Sequence, residues 1–151
     1  MKGPLTLILL LAAQTCSMGW IGPSSSNLIG KWKIDIKFLN AGAHSLLFEA
    51  QASGKGSFLL QDSRSSLVEA GEPTKAKWTQ SDDKVAFSGP TEFPIGNVGR
   101  DRGTLVFKGT FEAMDAISGD VAFFPLGQDP SDPKATPSRT GTFKAKRLTA
   151  D

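Results

Sequence analysis

The residue types that do chemistry are scarce in this chain. It has one histidine, His44, one cysteine, Cys16, and no tyrosine. A nucleophilic mechanism needs a nucleophile within hydrogen-bond reach of a base. His44 has no second histidine to work with, and Cys16 lies in a segment that reads as removable. Asp129 and Asp132 in QDPSDP are the closest approach to a cation loop. A calcium loop wants more oxygens and a glycine turn, so this stretch reads as a rigid solvated loop. Arg100-Asp101-Arg102 in GRDRG reads as an exposed, self-neutralised turn. No Asn-x-Ser/Thr acceptor is present. No catalytic set, metal or cofactor is expected, and the chain is not read as an enzyme.

The elements that would position any site begin after a leader. Residues 1–19, MKGPLTLILLLAAQTCSMG, carry one lysine, an apolar run over 5–13, then small and polar residues. Those are the three regions of a secretory signal peptide, with cleavage expected after Ser17 or Gly19. The run is shorter than the roughly 20 residues that cross a bilayer, and no later stretch is longer. A secreted or periplasmic location follows. Lipid attachment at Cys16 ranks second, because Ala13, Gln14 and Thr15 do not fit the usual approach to a lipidated cysteine. Loss of Cys16 leaves a chain with no thiol, so stability must come from the core. Residues 20–27 read as a short linker and 28–149 as a single domain. Formal charge is +2 with both signs interspersed, so neither nucleic acid nor an anionic membrane is an implied partner.

From Gly30 onward the period is two. In GKWKIDIKF, Trp32, Ile34, Ile36 and Phe38 share one face and the charged residues take the other. Further strands are expected at 44–52, 57–62 (register open), 74–80, 84–88, 104–112, 117–123 and 141–147. Links of moderate or long length alternate with tight ones. The long ones include 89–103 and the proline-rich 125–138. In an up-and-down meander, alternate links lie at opposite ends. The pattern therefore predicts an all-β, eight-stranded antiparallel barrel with one elaborated mouth. The first strand then starts at the closed end, where the last strand finishes. Arg147 shares the inward parity of Phe143 and Ala145, so it is expected to lie over Trp32 as a cation–π partner.

Gly30-Lys31-Trp32 on the first strand, with Arg147 at the end of the last, resembles the lipocalin and avidin superfamily. LVFKGTF, ISGDVAFF and TGTFKAKR resemble uncharacterised lipocalin-like domains of exported bacterial proteins. The resemblance spans 28–148. It implies that Gly30, Trp32 and Arg147 close the barrel and that the mouth can receive a ligand. Two departures shape the expectation. No helix follows the barrel, and without tyrosine the usual polar contacts to biotin are lacking. Haem held by His44, as in histidine-ligated barrels, is not expected.

The inward set is apolar, with several small residues facing large ones. That pattern fits a packed core and a partly open pocket equally. If a pocket exists, Phe38, Phe48, Trp78, Phe87, Phe107 and Phe123 form its wall. It would suit a hydrophobic small molecule. The alternative is a solid barrel that meets a protein partner, or inhibits one, through loops 89–103 and 125–138.

Overall fold

The computed structural model describes residues 26–40, 42–61, 72–95 and 99–149. The leader, Cys16 and both cleavage points lie outside the described residues. Eight strands follow one another: β1 Gly30–Phe38, β2 Ala43–Ala50, β3 Lys55–Leu60, β4 Thr74–Ser81, β5 Lys84–Ile95, β6 Gly99–Ala113, β7 Ala116–Pro125 and β8 Arg139–Arg147. Each pairs antiparallel with the next, and β8 returns to β1 from Trp32↔Arg147 to Phe38↔Gly141. The sheet is therefore a closed up-and-down barrel without a free edge. No described helix is long and apolar enough to cross a membrane.

Alternation of side chains builds the core directly. In β1 the buried residues are Trp32, Ile34, Ile36 and Phe38, and the three between them are exposed. The register left open in the third strand resolves with Phe58 inward and buried. That strand begins at Lys55, after a short helical turn at Ala52–Gly54.

One expected link is corrected. Segment 89–103 is not a long loop. β5 and β6 run on through it, pairing from Gly89↔Leu105 to Ile95↔Gly99, and only 96–98 lies between them. The β4 ladder ends at Lys77↔Ser88, although the Thr74 hydroxyl still donates to the Pro90 carbonyl at 2.7 Å. Proline is tolerated where no ladder bond needs its nitrogen, and this sequence has prolines at 90 and 94, past that last pair. The two long strands thus form a hairpin that runs on past the last β6–β7 pair, Gly103↔Pro125.

Candidate functional site

Strand direction divides the barrel into two ends. The turns at 51–54, 82–83 and 114–115 lie at the closed end, as do the incoming residues 26–29 and the outgoing 148–149. The strand ends Phe38 and Ala43, Leu60 and Thr74, Ile95 and Gly99, and Pro125 and Arg139 lie at the mouth, with the link 126–138.

The closed end is a bolted floor. Trp32 is fully buried, and its indole N–H donates to the Leu28 carbonyl at 2.8 Å. The Arg147 guanidinium carbon lies 4.3 Å from the Trp32 ring centroid. From there Arg147 donates to the carbonyls of Ile29 at 2.8 Å, Met114 at 3.2 Å, and Asn27. One side chain on β8 thereby ties the incoming chain to the β6–β7 turn. Gly30 makes room for it: a Cβ there would sit 2.9 Å from an Arg147 nitrogen, and its φ of +130° suits glycine. Gln80 supplies a second bolt. Its amide oxygen accepts from the Leu28 N–H at 3.0 Å, and its amide nitrogen donates to the carbonyls of Ser26 and Asp82. Residues 26–29 accordingly dock on the barrel, and Leu28 is fully buried in its floor.

The middle of the bore holds stacked phenylalanines. Phe48, Phe87 and Phe107 form a stack with 4.6 Å between successive centroids and interplanar angles of 8° and 17°. Phe58 and Phe143 meet Phe107 edge-on at 5.7 and 5.1 Å. Such pairs contribute about 0.5–1.5 kcal/mol each beyond area burial. The small inward residues are where these rings go. A Cβ on Gly109 would lie 2.7 Å from the Phe143 ring, one on Gly89 2.9 Å from Phe58, and one on Gly103 2.6 Å from Phe123. Small opposite large is therefore interdigitation over this part of the bore.

Above the stack the mouth is plugged. Phe93 is buried and packs edge-on against Phe38 at 5.9 Å and against Phe123 at 5.3 Å. The His44 ring lies 4.5 Å from Phe93. Arg139 covers the plug, its guanidinium carbon 5.9 Å from Phe93 and 5.6 Å from Phe123. It is held there by a 2.8 Å ion pair with Asp101. Only Asp101 of the Arg-Asp-Arg triplet turns inward. Arg100 and Arg102 pair with Glu92 on the exposed side of the hairpin, at 3.3 and 2.8 Å.

The expected wall residues are thus placed unequally. Phe38 and Phe123 sit at the mouth, and Phe48, Phe87 and Phe107 stack below it. Trp78 is at the other end, half-buried, its indole N–H shared between the carbonyls of Gln51 and Lys55 at 2.9 Å each. β4 runs downward, which carries its second half away from the mouth. Phe93, Arg139 and Asp101 were not singled out from sequence as inward. The period of two does continue through Phe87, Gly89, Thr91 and Phe93, but prolines at 90 and 94 conceal it. Two shallow depressions lie among the described residues, one lined by β4–β6 and one mainly by β1–β3.

The mouth rim carries the most exposed large apolar residues described, Leu39 and Leu126, at 77% and 79%. Leu39 donates its N–H to Thr140 and Leu126 to Arg102, which sets them on the rim with only β8 between their strands. The link after Leu126 is built from consecutive turns, with Gln128, Asp132 and Ala135 donating back to Pro125, Asp129 and Asp132. The Asp129 carboxylate accepts from the Ser131 hydroxyl at 2.7 Å and its N–H at 2.9 Å. Those bonds, the hydroxyl first, hold its pKa below the ordinary 3.8. Among the described residues no three His, Cys, Asp or Glu gather as a metal site.

No family model matches the chain. No curated protein matches it either. Among solved structures, a redesigned β-barrel aligns over 85% of this chain and 98% of its own, at 12% identity and a TM-score of 0.46. That likeness carries no argument here, and the barrel rests on its own strand ladders.

Proposed function

We propose that this chain is an exported, lipocalin-like barrel that acts as a protein-interaction module through its mouth. The observation that carries the reading is an apolar rim above a filled bore. Leu39 and Leu126 stand almost fully in water while Phe93, Phe123 and Phe38 plug the opening beneath them. The two most exposed large apolar side chains described lie at this one end, which favours a partner there. The turn-built link 126–138 needs little ordering on contact, which lowers the entropic cost of binding. The competing reading, an apolar small molecule at the open end, would require Phe93 and Arg139 to swing aside.

The test compares the full chain with Leu39→Asp/Leu126→Asp in capture from the source organism's extract, alongside native mass spectrometry. The proposal expects a specific protein retained by the wild-type chain and lost at least tenfold by the variant, with unchanged melting temperature. The same proteins captured by both, or an apolar molecule co-purifying at one per chain, would sink it.

A further inference from the structure

Barrel closure brings together charges that are far apart in sequence. The outward residues of β1 are Lys31, Lys33, Asp35 and Lys37, and those of β8 include Lys144 and Lys146. In the β1–β8 ladder, Lys33 lies directly opposite Lys146, and Lys144 opposite Asp35. All six are exposed. Like charges directly opposed across a ladder are unfavourable, and none of the five lysines is in an ion pair shown among the described residues. Asp35 is the one acid inside the stripe, where it also accepts from the Ser45 hydroxyl, and other acids flank it. Glu49 is opposite Lys31 on the β2 side, and Asp120 is opposite Thr142 on the β7 side. The result is a basic stripe two strands wide and roughly 20 Å long.

Apolar side chains bracket the stripe along its length. Leu39 follows β1 at the mouth end, and Ile29 and Leu148 lie at the closed end, 43% and 41% exposed. Leu148 donates its N–H to Lys31, so it adjoins the first lysine. We propose that this β1–β8 stripe docks on an anionic lipid bilayer surface. Three features favour a bilayer over a nucleic acid. The convex wall of a barrel meets a plane along one line, which is the shape of the stripe. Its charges are lysines, point cations suited to a diffuse anionic layer rather than forked recognition of single phosphates. The described part of this wall carries no exposed aromatic ring on which a base would stack. The lysines lie on the side wall, and Leu39 alone is shared with the mouth reading.

The experiment is co-sedimentation of the full chain with vesicles of 30% phosphatidylserine in phosphatidylcholine. Pure phosphatidylcholine vesicles report any contribution from the apolar run at 5–13. Lys33→Glu/Lys146→Glu is compared with Lys84→Glu/Lys108→Glu, which makes the same charge change on the outer wall of β5 and β6. The stripe variant should bind anionic vesicles on the order of 30-fold more weakly, and the control variant should stay within about threefold. Equal losses in both variants would overturn the proposal. So would wild-type binding no tighter than to neutral vesicles, or tighter binding to a single-stranded oligonucleotide than to the anionic vesicles.

Discussion

Trp32 shows how much one position can carry. Its indole seals the floor, bonds the incoming chain through Leu28 and supports Arg147 from below. Trp32→Ala should cost about 3–5 kcal/mol, the usual loss for a buried large aromatic, read as a drop in the urea midpoint. Arg147→Lys keeps the charge but loses the fork that reaches three carbonyls. It should cost about 1–2 kcal/mol by the same measurement, and an unchanged midpoint would mean that the fork is not what joins the two chain ends. Asp129 makes a smaller, local prediction. Its folded pKa lies below 3.8, so the support it gives its turn is present above that value and lost as pH falls through the folded midpoint. A carboxyl NMR titration should show that low midpoint, and Ser131→Ala should move it up part of the way, since the Ser131 N–H still donates.

Among the elements, β1 was the most legible and β5 the least. Clean alternation in GKWKIDIKF identifies the inward face, and the ends assigned from link lengths put Arg147 beside Trp32 before any coordinates are considered. The meander and the closed barrel are legible for the same reason. β5 is obscured because prolines ordinarily argue against a strand, and here they fall beyond the last β4 ladder pair at Ser88. Reading 89–103 as a loop hides Phe93, and with it the plug. The choice between packed bore and pocket is not legible at all, because it depends on which glycine faces which ring across the barrel. Phe93→Ala tests the plug. It should cost about 3–5 kcal/mol if the site does not collapse, and it should create binding of a small apolar probe that the wild-type chain lacks. A variant that binds no better than wild type would show that Phe93 does not close the mouth.

Taken as a whole, the described barrel turns most of its phenylalanines inward and its charges outward. Phe38, Phe48, Phe87, Phe107 and Phe123 hold the barrel together, the rim offers leucines, and the side wall offers lysines that sequence interspersion hides. Charge counted along the chain misses the Lys33–Lys146 opposition because only closure of β8 on β1 creates it. Rings fill the middle of the bore, and a titration of the methyl groups around them reports whether a ligand can enter. Methyl NMR of Ile34, Leu46, Leu105 and Val121, all buried in the bore, is followed while a medium-chain fatty acid is added. The filled barrel predicts that these methyl signals stay in place up to millimolar ligand. A saturable one-to-one shift of the bore methyls would contradict it and restore a ligand-carrying role.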